Sequence, residues 1–145
     1  MVTSLADTIR VADDYGKFAF QYRLCGEPLI GMHGSYAAVH NAVELDFGFD
    51  HGEAGSITED TYFALLIAEH GVKFRWVHGA MHEQSPFTVV DFMKQRCRWF
   101  SGLWLCVVCP DLALWRRVML GSFVVGPDTS FQLNFSISEC IREMS

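Results

Sequence analysis

The chain has 145 residues, and 50% of them are hydrophobic, enough for one domain with a real core. Its net charge is −6 and charged residues make up only 19%. With no basic run longer than Arg116-Arg117, that balance argues against nucleic acid as a partner, and the apolar surplus points to a covered partner surface or a membrane. The five cysteines are odd in number and irregularly spaced, and no signal-peptide pattern precedes them, which favours reduced thiols over a disulfide framework.

In chain order, Leu5 to Tyr15 puts Leu5, Ile9 and Ala12 on one face and predicts a short amphipathic helix that Gly16 stops. Phe18 to Leu24 fits a strand or a second helical piece. Gly26-Glu27-Pro28 is a turn signal, and Leu29 to Val39 reads as a buried strand with close backbone approach at Gly31 and Gly34. Glycines flanking His33 suit backbone beside a ligand, and they suit a plain bulge or turn equally well. Val43 to Phe49 is a further strand candidate.

The segment Ser56-Ile57-Thr58-Glu59-Asp60 follows a Gly-containing loop and opens an apolar run. Ser56 with Glu59 has capping-box spacing, so a helix is expected from about Glu59 to His70, with Gly71 as its terminator. Asp60 falls in the first turn, near the positive end of the helix dipole. It shares a face with Ala64 and Ala68, small residues expected to leave room above the carboxylate. A carboxylate there is either helix punctuation or a base at the rim of a cleft. Lys73 to Val77 alternates as a strand does.

His78 and His82 are four apart, but Gly79 and the adjoining strand argue against one helix face, so ordinary loop histidines outweigh a metal site. Ser85-Pro86 reads as a helix start. Continued through the apolar run, that helix puts Asp91, Gln95, Arg98, Trp99 and Gly102 on one side, a surface suited to binding, although an Arg98–Asp91 pair beside a core Trp would fit the pattern too. The strip Lys94-Arg96-Arg98 suits a small anion or a lipid surface better than a duplex. Cys106-Val107-Val108-Cys109 lies in an apolar run without a second pair, which favours buried thiols over zinc or redox chemistry. Trp99 to Val125 is cut by Pro110-Asp111 and Arg116-Arg117, and reads as helices lying in a membrane interface rather than across a bilayer. From Pro127 the sequence turns polar and its periodicity fades.

Thr58-Glu59-Asp60 followed by Gln95-x-x-Arg98-Trp99 is an ordered pair of marks. With Asp7 to Asp14, Gly31-Met32-His33-Gly34-Ser35 and Phe49-Asp50-His51-Gly52, it resembles the inverting, GT-A-fold family 2 glycosyltransferases, most of all the animal β-1,4-mannosyltransferases that extend glucosylceramide. The resemblance covers about residues 5 to 120. It implies an α/β chain, the C-terminal half of a GT-A domain with a Rossmann-like mixed sheet. It divides the sequence into residues 1–102 of catalytic domain, 103–126 of apolar interfacial helices and a divergent polar tail at 127–145.

The same resemblance implies mannose transfer from GDP-mannose to a glycolipid acceptor on an ER or Golgi membrane, with the catalytic face cytoplasmic. Asp60 matches the family's base. Gln95 and Arg98 match contacts to the nucleotide diphosphate, and Trp99 matches an acceptor-sugar platform. Glu59, Gly34 and Ser35 join the donor- and acceptor-binding set. A processive polysaccharide synthase shares both marks, and a non-catalytic membrane- or partner-binding piece is the remaining alternative. The family's D-x-D, which holds a divalent metal such as Mg or Mn, does not occur in this sequence, so the metal ligands are expected outside it. His33 stands where a Lys is expected, and the polar tail stands where membrane spans are expected.

Overall fold

A computed structural model describes residues 2–34, 37–52, 57–79 and 84–126. Among the described residues there are six α-helices: α1 (Val2–Ala12), α2 (Ala19–Leu24), α3 (Asn41–Phe47), α4 (Glu59–Glu69), α5 (Val89–Val108) and α6 (Leu114–Val125). No strand is present among the described residues. The expected mixed sheet is therefore not seen there, and three strand expectations are corrected.

Gly16 does not stop the first helix. The backbone widens into a π-helical turn over Asp13–Phe18 and re-tightens into α2, so Phe18 to Leu24 is the helical alternative. A glycine tolerates that widening, and a Cβ at Gly16 would meet nothing within 4 Å. The supposed strand at 43–49 is α3. Its apolar residues alternate, but only Val43 and Phe47 pack inward, while Leu45 is 76% exposed. The burial period is four, not two. His40 caps α3 by accepting from the Ala42 N–H (3.3 Å), and Gly48 ends it at φ +64°.

Residues 29–34 run irregularly rather than as a strand, because a side chain takes their hydrogen bonds. Gln21, buried in α2, accepts from the N–H groups of Leu29 (2.8 Å) and Ile30 (3.0 Å) and donates to the Gly31 carbonyl (2.6 Å). Lys73 to Val77 keeps its alternation: Phe74 and Trp76 turn inward, and Lys73, Arg75 and Val77 outward. Among the described residues its one backbone bond across the chain runs from Phe74 N–H to Gly26 O (2.8 Å), so no ladder forms there.

Helix α4 is the axis. Tyr62 and Leu65 face one core cluster with Cys106, Cys109, Leu112, Leu120 and Val124, while Phe63, Ala64 and Ile67 face a second with Met32. A helix apolar all round must be covered on all sides. This removes the expected space above Asp60, since Ala64 and Ala68 are both buried. Gly71, at φ +82°, ends α4 as the sequence suggested.

Helices α5 and α6 form a hairpin broken at Pro110-Asp111. Arg116-Arg117 does not interrupt α6, because both side chains find partners. Arg116 donates to Glu27 Oε2 (2.8 Å) and Pro28 O (2.9 Å) and lies 3.7 Å from Glu69 Oε1. Arg117 Nε donates to the Val107 carbonyl (2.8 Å) at the end of α5. No described helix is long and apolar enough to cross a membrane.

Candidate active site

The acidic mark forms the entry to α4. Thr58 is the N-cap residue, and its hydroxyl turns to Cys106 Sγ (3.6 Å) instead of capping. Ser56, the expected partner of Glu59 in a capping box, lies outside the described residues, and Glu59 is exposed. Asp60 is held by two backbone donors: Gly34 N–H to Oδ2 (2.9 Å) and Thr61 N–H to Oδ1 (2.7 Å). Two carboxylate oxygens offer about four lone-pair sites, so a fixed Asp60 keeps capacity for another donor.

The 31–34 segment rides on this first turn of α4. A Cβ on Gly31 would sit 2.7 Å from Thr61 Oγ1, and one on Gly34 would sit 3.0 Å from Asp60 Cβ. Glycine is needed at Gly31 twice over, since its φ is +117°. Gln21 fixes the near end of the segment, and Tyr22 adds a bond from its hydroxyl to the Gly31 carbonyl (3.1 Å). Burial pushes the Tyr22 phenol well above its ordinary range, so it stays a neutral donor.

The second mark arrives on α5, which begins three residues later than Ser85-Pro86 suggested. Ser85 is not the cap, because its hydroxyl is committed to Asp7 and Arg10. Thr88 caps instead: it accepts from Asp91 N–H (3.1 Å) and donates to Asp91 Oδ2 (2.6 Å). Asp91 is thereby tied to the cap.

Gly102 lets α5 close on α4. A Cβ there would lie 2.4 Å from Thr58 Cγ2 and 3.0 Å from Ile57 Cγ2. One turn earlier, Trp99 meets His33 at a centroid distance of 5.7 Å and an angle of 69°. His33 also packs on Phe18 (5.0 Å), with Asp14 Oδ1 3.7 Å from its Nδ1. The dipeptide His33-Gly34 is thus the joint between the marks, His33 touching Trp99 and Gly34 bonding Asp60. Gln95 is half-buried and Arg98 is exposed, whereas Ser35 lies outside the described residues.

Arg96 went unnoticed in the sequence as a member of this group. Its guanidinium lies over the rings of Trp99 (4.6 Å) and Phe92 (5.0 Å), and burial lowers its pKa. The spacing 92, 96, 99 on one helix face was the available signal. Among the described residues, no three His, Cys, Asp or Glu side chains converge to hold a metal ion. His78 Nε2 lies 3.2 Å from Arg23, and His82 is outside the described residues. The described residues therefore do not fit the divalent ion implied by the resemblance.

Residues 1–139 match the family described as glycosyl transferase family group 2. The chain belongs to this family. It is 41% identical over 136 residues to the beta-1,4-mannosyltransferase bre-3 of Caenorhabditis elegans, covering 91% of this chain and 30% of that protein. The same figures hold for bre-3 of Caenorhabditis briggsae. The beta-1,4-mannosyltransferase egh of Drosophila melanogaster is 39% identical over 120 residues, covering 83% of this chain and 26% of that protein. The chain therefore spans less than a third of the length of these relatives. No solved structure matches. Within a glycosyl transferase of group 2, the joined marks place one carboxylate, one exposed guanidinium and one indole on neighbouring elements.

Proposed function

We propose that the chain supplies the base and acceptor side of an inverting glycosyl transfer centre, within a GT-A-type domain whose mixed sheet lies outside the described residues. The donor is GDP-mannose, the acceptor the glucose of a glucosylceramide-type glycolipid, and the new linkage β-1,4. The observation that carries this reading is the joint at His33-Gly34, which ties Asp60 (2.9 Å) and Trp99 (5.7 Å) to consecutive residues. Marks far apart in sequence have no structural need to share such a joint, whereas a base and a sugar platform do.

In the proposed step the acceptor hydroxyl oxygen attacks the anomeric carbon of mannose from the face opposite the diphosphate. The new C–O bond forms as the bond to the diphosphate breaks, and Asp60 takes the hydroxyl proton. Arg98, exposed beside Trp99, offers a planar fork for the departing diphosphate, with Gln95 one turn earlier as a second donor. Trp99 stacks on the C–H face of the acceptor sugar. No step here runs through a metal ion. A divalent cation at the diphosphate would take its ligands from outside the described residues.

The acceptor's lipid favours a membrane at the site, an ER or Golgi surface with the centre on its cytoplasmic side. The hairpin supports contact with a membrane surface. Leu114, Trp115, Val118, Met119 and Val125 of α6 are exposed, as are Trp104 and Val108 of α5. Such a face suits an interfacial position.

The test is a fusion in which the part of the C. elegans relative preceding the matched region is placed ahead of the full chain, assayed for mannose transfer from GDP-mannose to glucosylceramide. Asp60→Asn is expected to lower turnover about 10²–10⁴-fold while leaving the KM for GDP-mannose within twofold. An unchanged turnover sinks the base assignment.

A further inference from the structure

We propose that Arg96 is a positioning residue for the acceptor, acting through Trp99 by lying against one face of its indole and fixing the plane on which a sugar stacks. The inference rests on the reading of Trp99 as an acceptor platform.

The geometry is specific. The Arg96 guanidinium carbon is 4.6 Å from the Trp99 ring centroid and 5.0 Å from that of Phe92, so the cation sits against two rings of its own helix. Its Nε is buried and has no hydrogen-bond partner among the described residues. A buried, unbonded N–H costs free energy unless something replaces water, and the electron-rich ring faces do so here. Guanidinium is planar and weakly hydrated, so it stacks where an ammonium would keep its water.

Trp99 is then restrained by two neighbours, Arg96 over its face and His33 at 69°. The negative charge of Asp13, in the π-helical turn, favours the Arg96 charge, and the positive charge of Arg10 opposes it. An indole held this way loses little rotational freedom when a sugar arrives, and such pre-organisation tightens binding.

The experiment follows the Trp99 indole N–H resonance in the 15N-labelled full chain, assigned by its loss in Trp99→Phe, during titration with hexyl β-glucoside. Arg96→Lys keeps the charge without the stacking plane, and Arg96→Met keeps the packing volume without the charge. Circular dichroism checks that each variant folds. The expected result is a displaced indole resonance in both variants and a glucoside Kd raised about three- to tenfold. An indole resonance that stays in place in both variants overturns the proposal. So does a displaced resonance with unchanged Kd, provided that Trp99→Ala, followed by other resonances, weakens glucoside binding. If Trp99→Ala binds the glucoside as tightly as the parent, the platform reading itself is overturned, and the acceptor role of Arg96 goes with it.

Discussion

Along α5, the first half carries Val89 (57%) and Val90 (61%) in solvent with Asp91, Lys94 and Arg98 exposed, whereas Gly102, Cys106 and the following Cys109 are buried. One helix thus has a half that packs one face on α4 and α6, with Trp104 and Val108 exposed on the other, and a half whose Asp91, Lys94 and Arg98 are open to solvent. The covered half gets its position from shape: Gly102 admits Thr58, and Cys106 and Cys109 fill the cluster with Tyr62 and Leu120. The open half is held from a few points, the Thr88–Asp91 cap and the Trp99 contacts. A rigid stem carrying exposed polar groups is the arrangement that a binding surface requires. The stem should therefore answer to changes in packing and the open half to changes in ligand.

The largest effect is expected where the stem is bolted to the rest of the chain. Arg116 is 2% exposed and joins α6 to Glu27, the Pro28 carbonyl and Glu69. Removing Arg116 leaves the buried Pro28 carbonyl without its donor and two partly exposed carboxylates, Glu27 and Glu69, without their cation. Arg116→Met is expected to destabilise the fold by about 3 kcal/mol in urea unfolding. A loss below about 1 kcal/mol would show that Glu27 and Glu69 rehydrate easily and that the bolt is not at Arg116.

Next comes the contact between stem and acidic mark. Gly102→Val would place a Cβ 2.4 Å from Thr58 Cγ2, so one of the two must move. Overpacking of this kind costs about 1–3 kcal/mol. Thr58→Ala in the same chain should recover most of that loss, because it removes the clashing methyl. Equal losses in the single and double variants would mean that the strain lies elsewhere. In the fusion enzyme, Gly102→Val is also expected to lower transfer, since it separates Trp99 from Asp60.

The comparison also explains which features were legible in the sequence. Helix α4, its Gly71 terminator and the two marks could be read because each rests on local chemistry: an apolar run, an αL glycine, fixed residue types. Helix α3 was misread because tertiary packing used Val43 and Phe47 and left Leu45 in water. The 29–34 segment is not a strand because the side chain of Gln21, in the preceding helix, takes the hydrogen bonds a strand would have shared. At α5, Ser85 had the right chemistry for a cap, but Asp7 and Arg10 had already claimed its hydroxyl. The joint at His33-Gly34 was the least visible element. Its glycines were noted, but its role depends on which rings and carboxylates the fold brings to it.

The smallest effect separates the two halves by pH. In the stem, burial pushes the Cys106 thiol from 9.0 up to about 11. Burial and then the neighbouring Cys109 push the Tyr62 phenol from 10.0 up to about 12. Both groups hold their protons more tightly folded than unfolded. At pH above 9 the unfolded chain therefore loses protons that the native chain keeps, and stability falls as pH rises. The contribution is fully present below about pH 9 for Cys106 and pH 10 for Tyr62, and it is lost as pH climbs through about 11 and 12. Melting temperature is expected to decline across that window, and the Cys106→Ala, Tyr62→Phe double variant should decline less steeply, since neither replacement ionises. Both side chains belong to the covered cluster, so the variant tests the stem alone. If the double variant melts with the same alkaline slope as the parent, the protons released on unfolding come from other groups, and the buried end of α5 does not set the alkaline limit.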